Sequence, residues 1–343
     1  MSKITKLLAA FIIGLLIFIF TMKIVGWKRV EEALNLFLSF KGLIIVGLTL
    51  IGALIAVFKW KFVLANITGD GEDRFKGLGK IYFAGYTITY LLTPMAGFGG
   101  EPFKAYFVKK KYGLDWRKSI SSVVIERIFD WTVFSIFTMT GVLTLLFYTR
   151  VFSNKMIFLA VFLIGFLFFL LSFFYFKALK KESTLVWILN LVGIKREKIE
   201  NSKNGKIILE IEEDLINFLS LKKKQFWKGI SFSLLRYILL FLRAIFLILF
   251  LTGEVKLTQG LSIYGLTNIS EIFPTPAGLG ALEATGILSF KVLGLDMASG
   301  TIFAMVLRNA NIVLCLIGGV FLVKIAIELT GKKIWGLVAK MKQ

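Results

Sequence analysis

The chain has 343 residues, of which 57% are hydrophobic and 18% are charged, and its net charge is +21. Soluble globular domains carry about 25% charged residues, so this composition argues against a soluble fold. There is no histidine and one cysteine, Cys315. These counts exclude an intrachain disulfide, a metal site of histidine and cysteine ligands, and Ser-His-Asp or Cys-His nucleophile systems.

Six apolar segments predict membrane-crossing helices, because a helix needs about 20 apolar residues to cross the hydrocarbon core. The predicted spans are residues 7–26, 42–64, 119–148, 156–176, 229–251 and 301–325. Lys3 and Lys6 precede the first span as in a secretory signal, but no small-residue cleavage site follows, so we expect a retained helix. The sequence therefore predicts an all-α polytopic membrane protein that forms one transmembrane domain.

Two further stretches, residues 77–105 and 257–294, are moderately apolar and interrupted. They contain all four prolines of the chain, Pro94, Pro102, Pro274 and Pro276. Proline and glycine break a helix, and a break at membrane depth is tolerated only where it is buried in protein or lines a wet cavity. Pro102 is suited to the first turn of a new helix, whose N-terminal end would form an anion site at the break.

The two interrupted stretches nearly repeat one another. TPMAGFG at residues 93–99 corresponds to TPAGLG at residues 275–280, and an acid follows each, at Glu101 and Glu283. Paired broken segments in two halves of a chain indicate a transporter binding site, and they suggest an inverted repeat. The alternative is a pair of ordinary tight turns between short helices.

The distribution of basic residues predicts the topology, because cytoplasmic segments are rich in lysine and arginine. Such segments are residues 102–118, the connector 177–228 and the tail after Lys324, and the N-terminus carries Lys3 and Lys6. If all are cytoplasmic, each interrupted stretch begins and ends on one side of the membrane. The prediction is then six full spans plus two re-entrant hairpins, and the alternative is eight to ten shorter helices. We expect amphipathic surface helices or, equally, a solvated linker in the connector.

Charged residues inside the spans are candidates for function. Glu126, Arg127 and Asp130 share one helix face by their spacing. Charges in a membrane face the protein interior and pair with one another. They therefore predict either a binding site or a structural ion network near the cytoplasmic end of the span.

Three more arginines lie in predicted spans, Arg236, Arg243 and Arg308. The planar guanidinium binds phosphate oxygens in two-point contacts. Each arginine has the alternative of pairing with a carboxylate such as Glu271 or Glu283. Because the sequence shows no large matching set of intramembrane acids, the arginines together favour an anionic ligand.

The motif GGEPFKAY at residues 99–106, followed by KKYG at 110–113 and ERIFD at 126–130, resembles the membrane region of lysylphosphatidylglycerol synthases, also described as a flippase-like domain. The segment PTPAGLGALE at residues 274–283 is similar to a later signature of that family. The resemblance spans roughly residues 7–325. It implies movement of phospholipids or polyprenyl-linked lipids between leaflets.

In full-length synthases of that family, a separate soluble domain at the C-terminus attaches the amino acid to the lipid. This chain ends at residue 343, about 18 residues after its last predicted span. We therefore expect no synthase domain and no aminoacyl-transferase activity, and we expect a transporter rather than an enzyme.

The leading hypothesis is a lipid translocase with no catalytic residue, metal or cofactor. Its glycines permit close backbone approach, its basic residues contact the headgroup, and its acids balance charge or relay protons. The candidate substrate-binding residues are Pro94, Gly97, Gly99, Gly100, Glu101, Lys104, Arg127, Asp130, Arg236, Arg243, Glu271, Pro276, Gly278, Gly280, Glu283 and Arg308. The expected partners are membrane lipids with anionic headgroups and not nucleic acid.

Two alternatives stay open. One is a membrane-embedded transferase acting on a lipid carrier, with Glu101, Glu126 or Asp130 as acid, base or metal-binding groups. The other is a transporter of a small anionic solute. We expect a multi-pass protein of the cell membrane with both termini in the cytoplasm, in an oligomeric state that the sequence leaves open.

Overall fold

The computed structural model describes residues 26–92, 99–148, 201–221, 223–273 and 275–341, with isolated positions between 162 and 187. No strand occurs among these residues, and their α-helices are numbered here in chain order. They are α1 (Trp27–Leu38), α2 (Phe40–Thr68), α3 (Leu78–Leu92), α4 (Glu101–Tyr112), α5 (Trp116–Tyr148), α6 (Lys203–Phe218), α7 (Lys224–Thr252), α8 (Leu257–Asn268), α9 (Ala281–Val292) and α10 (Met297–Met341).

Four of these helices are long and apolar enough to cross a membrane: α2, α5, α7 and residues 297–328 of α10. They contain four of the six predicted spans, which confirms the all-α polytopic class. The predicted span 7–26 and most of 156–176 lie outside the described residues. Two boundaries differ from the prediction, since α7 begins earlier, at Lys224, and α10 continues to Met341.

The long helices are apolar on all sides, as expected of helices surrounded by lipid and protein. On α2, Trp60 is fully buried, whereas Leu54 and Phe58 are exposed on the outer face. Both α2 and α7 end where the chain turns into the left-handed region at a glycine, with φ 77° at Gly69 and 78° at Gly253. This is the common C-terminal end of a helix.

Each interrupted stretch contains two short helices, as the prolines predicted: α3 and α4 in the first, and α8 and α9 in the second. Residues 93–98 lie outside the described residues. We call residues 93–100, between α3 and α4, the first break, and residues 273–280, before α9, the second break. At 1.5 Å per residue, helices of 12 to 15 residues are about 18 to 22 Å long. Since the hydrocarbon core is about 30 Å thick, none of the four helices crosses it alone.

The two halves of the chain pack across one another. α3 packs along α10, and α8 packs along α5. A Cβ atom on Gly318 of α10 would lie 2.1 Å from the carbonyl oxygen of Phe83, and one on Gly141 of α5 would lie 2.2 Å from that of Leu261. Small residues of this kind let membrane helices approach closely, so the first helix of each interrupted stretch packs against a long helix of the other half.

Part of the predicted connector is the helix α6, which packs on the protein. Phe218 of α6 contacts the rings of Phe62 and Phe129. On its polar side, Asp214 accepts hydrogen bonds from Arg117 at 2.7 Å and Ser121 at 3.0 Å. The apolar face of α6 is therefore buried against α2 and α5.

Candidate functional site

The first break is held by a carboxylate. Glu101, the first residue of α4, accepts hydrogen bonds from the backbone N–H of Gly99 at 2.6 Å and from Arg127 of α5 at 2.5 Å. Pro102 lies in the first turn of α4, as predicted. Proline lacks a backbone N–H, and in the first turn no hydrogen bond within the helix is lost by this. Glu101 therefore connects the end of the break to the long helix α5.

The second break is held in the same way. Glu283 in the first turn of α9 accepts hydrogen bonds from the N–H of Gly280 at 3.0 Å and from Arg308 of α10 at 2.6 Å. Arg308 also donates to the carbonyl oxygen of Gly278 at 3.3 Å. Within this break Ala277 has φ 55°, the left-handed conformation that side chains with a Cβ rarely adopt. The network of contacts stabilises that backbone.

These two arrangements give the sequence repeat a structural meaning. In each half an acid at the start of the helix after the break accepts a glycine N–H and a guanidinium. The guanidinium follows its acid by 26 residues in the first half, from Glu101 to Arg127, and by 25 in the second, from Glu283 to Arg308. The inverted orientation of the halves stays a prediction.

A buried ion network lies next to the first break. The Lys59 ammonium is 3.2 Å from a Glu126 carboxylate oxygen, contacts Asp130, and donates to Ser233 at 3.1 Å. Lys59, Glu126 and Asp130 are each at most 1% exposed. Arg236 of α7 also donates to Asp130. An unpaired charge at such a depth would be strongly destabilising, so these groups hold α2, α5 and α7 together.

The structure corrects the prediction that intramembrane acids are too few to match the arginines. Arg127 pairs with Glu101, Arg236 with Asp130, and Arg308 with Glu283. The arginines pair with acids because burial removes water from the guanidinium, and this costs free energy unless a carboxylate is in contact with it. Arg127 and Asp130, which share a face of α5, bind partners on other helices and not one another.

Sequence reasoning missed Lys59 as a member of this network. The signal was present, because Lys59 lies inside the predicted apolar span 42–64. A lysine within a membrane helix is a functional or structural candidate by default. Lys104, predicted as a headgroup contact, is buried, and its ammonium lies 3.8 Å from Glu126 and 4.6 Å from the centre of the Tyr82 ring.

A cavity of about 140 Å³ lies between the two interrupted stretches. The described residues of its walls include four cations and one acid: Lys104, Arg127, Arg236, Arg243 and Glu271. Five tyrosines also face it: Tyr82, Tyr86, Tyr90, Tyr237 and Tyr264. The tyrosines were not predicted, although the spacing of three of them along α3 places them on one helix face. The cavity therefore has a cationic wall with hydroxyl groups able to donate hydrogen bonds.

Arg243 differs from the other arginines of the cavity. Its guanidinium donates to Thr49 at 3.1 Å and to Asn311 at 3.4 Å, and no carboxylate among the described residues pairs with it. The residue is 9% exposed, and its Nε has no hydrogen-bond partner. A buried guanidinium that lines a cavity without a carboxylate partner has the charge and the donor groups to bind an anion.

The candidate residues from the sequence fall into three groups. Those that line the cavity are Lys104, Arg127, Arg236, Arg243, Glu271 and Gly278. Those that do not line it are Gly99, Gly100, Glu101, Asp130, Pro276, Gly280, Glu283 and Arg308, which lie in the breaks or in the ion pairs beside the cavity. Pro94 and Gly97 lie outside the described residues.

The glycines of the breaks serve different purposes. A Cβ on Gly100 would lie 2.0 Å from the Thr89 hydroxyl and 2.5 Å from the carbonyl oxygen of Gly85, so its small size is needed for packing of the break against α3 and not for a ligand. Gly278 has φ 61°, and the atom nearest to a Cβ placed on it would be the carbonyl oxygen of Ser270, at 3.9 Å. Gly278 lines the cavity, so close approach of a ligand to the backbone is open there.

The sequence profile of the family described as the lysylphosphatidylglycerol synthase TM region matches residues 7–319. The chain belongs to this family. It is also similar to the UPF0104 membrane protein MJ1595 of Methanocaldococcus jannaschii, with 26% identity over 340 residues that cover 96% of this chain and 98% of the relative. No solved structure matches the chain.

Membership of the lysylphosphatidylglycerol synthase TM region family covers the whole candidate site. The matched residues contain both breaks, both carboxylate–arginine pairs that hold them, the buried ion network and every residue lining the cavity. The resemblance recognised in the sequence is thereby confirmed. The features described above belong to the family region and not to an addition outside it.

Proposed function

We propose that the protein is a lipid translocase that moves a phospholipid or a polyprenyl-phosphate-linked lipid between leaflets, with its anionic headgroup in the cavity between the breaks. The observation that carries this proposal is Arg243, a buried guanidinium without a carboxylate partner in the described structure, on the wall of a cavity with three further cations. Guanidinium groups bind phosphate oxygens in two-point contacts. Tyrosine hydroxyls on the same wall supply neutral donors to further oxygens.

The surroundings of the cavity suit a ligand with a polar head and apolar tails. Leu91 at the end of α3 and Phe273 in the second break are both about half exposed. Acyl or isoprenoid tails that remain in the bilayer would contact such side chains while the headgroup occupies the cavity. We further propose that the protein resides in the cell membrane with both termini in the cytoplasm.

The test is headgroup translocation in vesicles that contain the purified protein and a fluorescent anionic phospholipid. We expect Arg243→Gln to reduce the translocation rate at least about tenfold, because loss of one charged contact costs about 1.5–3 kcal/mol. Arg127→Ala and Glu101→Ala should abolish it while expression persists. Lys110→Gln is the matched control, since Lys110 is an exposed cation on α4 away from the cavity. Normal translocation by the Arg243, Arg127 and Glu101 variants would reject the proposal.

Two other functions are outcomes of the same experiment. Flux of inorganic phosphate without lipid movement would identify a transporter of a small anionic solute, which the cavity volume also suits. A new lipid product after addition of an activated donor would identify a transferase. Against a transferase, Glu101, Glu126 and Asp130 each form an ion pair with a lysine or arginine, which favours a structural role for these carboxylates.

A further inference from the structure

Glu271 differs from every other acid near the cavity. It lies in the 3-10 helix Ile269–Ile272 before the second break, lines the cavity, and is not enclosed by protein atoms. The other acids are each held by a cation, in the pairs Glu101–Arg127, Glu126–Lys59, Asp130–Arg236 and Glu283–Arg308. None of the ion pairs among the described residues includes Glu271. A function for it therefore has to come from the cavity.

Charged and titratable groups from five of the surrounding helices line the cavity together with Glu271. They are Tyr82, Tyr86 and Tyr90 of α3, Lys104 of α4, Arg127 of α5, Arg236, Tyr237 and Arg243 of α7, and Tyr264 of α8, while α9 and α10 contribute the Glu283–Arg308 pair beside it. The chain contains no histidine. Arginine stays protonated, and tyrosine ordinarily titrates near pH 10. Glu271 is the acid on the described cavity wall, and a second anion beside it favours its protonated form. Lys104 is the other group there that can gain or lose a proton.

The size of the cavity forces a bound anion and the Glu271 carboxylate close together. An anion in a cavity of about 140 Å³ lies roughly 6 to 9 Å from a carboxylate on its wall. At an effective dielectric of about 20, two like charges at that separation repel by the equivalent of a roughly 20- to 100-fold change in an equilibrium constant. The four cations stabilise either the bound anion or the Glu271 carboxylate when only one of them is charged. When both are negatively charged, their mutual repulsion weakens this stabilisation.

We propose that Glu271 is the proton-binding residue of the cavity and that an anionic headgroup binds there together with one proton. The inference rests on the proposed function, because it requires an anion in the cavity. Binding of the anion drives uptake of a proton from bulk water onto the Glu271 carboxylate, which becomes a neutral carboxylic acid. Release of the anion reverses this step. A proton gradient then supplies energy for lipid movement.

The experiment measures binding of dihexanoyl phosphatidylglycerol to the detergent-purified full chain by calorimetry between pH 5.5 and 8.5. This probe is a phosphodiester and does not itself titrate in that range. We expect wild-type affinity to fall by up to about tenfold per pH unit above the pKa of Glu271, as linkage to one proton requires. Glu271→Gln should bind tightly and almost independently of pH. Glu254→Gln, an exposed acid in the loop after α7, should behave as wild type.

Each outcome decides the inference. A fall in affinity that persists in Glu271→Gln would assign the pH dependence to Lys104 and overturn the proposal. Affinity independent of pH in the wild type would overturn it and leave the proposed function standing. Absence of binding by wild type and Glu271→Gln at every pH would reject the anion site, and with it the proposed function.

A second readout covers the case in which Glu271→Gln does not fold. Glu271→Ala and Glu271→Ser provide alternative neutral variants at this exposed position. In vesicles, a pH gradient that is acidic on the side of the labelled lipid should accelerate translocation by the wild type and not by a folded neutral variant. Equal acceleration in both would overturn the proposal.

Discussion

Asp130→Asn tests whether the buried ion network holds the membrane helices together. Asp130 is 1% exposed, contacts Lys59 and Arg236, and accepts a hydrogen bond from Ser233 at 2.8 Å. The amide removes the negative charge and keeps the volume. Lys59 retains Glu126 at 3.2 Å, but Arg236 loses its carboxylate. Breaking a buried pair from one side costs about 3–5 kcal/mol, and we expect the lower end, about 3 kcal/mol.

The assay is equilibrium unfolding in mixed micelles with increasing SDS, followed by circular dichroism. Glu210→Gln is the control, because Glu210 is 48% exposed and 3.7 Å from Arg117, and surface pairs contribute about 1 kcal/mol or less. Adding Arg236→Gln to Asp130→Asn should recover part of the loss, since no unpaired cation then remains. If Asp130→Asn lowers the free energy of unfolding no more than Glu210→Gln, the reasoning is refuted.

Three further predictions use the same unfolding assay or hydrogen exchange. Gly141→Ala should lower the free energy of unfolding by about 1–3 kcal/mol, because a larger side chain at this close helix crossing displaces the backbone. The control is Gly47→Ala, which should leave the free energy of unfolding unchanged because the space around Gly47 is open. Equal effects of the two substitutions would contradict the packing argument. Arg308→Gln should lower the free energy of unfolding by at least about 3 kcal/mol, because it leaves Glu283 as a buried unpaired charge. The double variant Arg308→Gln, Glu283→Gln, in which both groups are neutral, should be more stable than the single variant. Asp214→Asn should speed amide exchange in α6 and not in α5; unchanged exchange would show that the apolar face alone docks α6.

The spans and the breaks were predictable because their signals are local. A run of apolar residues decides whether a helix crosses a bilayer, and a proline decides where it stops. The repeat around Pro94 and Pro276 also pointed to two equivalent places in the fold. For the same reason Pro102 was correctly placed in the first turn of α4.

The pairing of charges was not predictable, because it depends on which helices become neighbours. Lys59 and Asp130 are 71 residues apart, and Arg236 and Asp130 are 106 apart. Nothing in the sequence separates Arg243, which lacks a carboxylate partner in the described structure, from Arg236, which has one, although both lie on α7. The cavity itself exists only once eight of the numbered helices, α2 to α5 and α7 to α10, have come together.

The crossed packing of the two halves has a consequence for biogenesis. Thr87 of α3 donates to the carbonyl oxygen of Cys315 in α10 at 2.9 Å, and Asn268 of α8 donates to the Thr138 hydroxyl of α5 at 3.3 Å. Neither half contains the long helix against which the first helix of its own interrupted stretch packs, since α3 packs along α10 and α8 along α5. A gene split within the connector should therefore yield two fragments that are degraded when each is expressed alone and that accumulate, as a functional pair, when both are made in one cell.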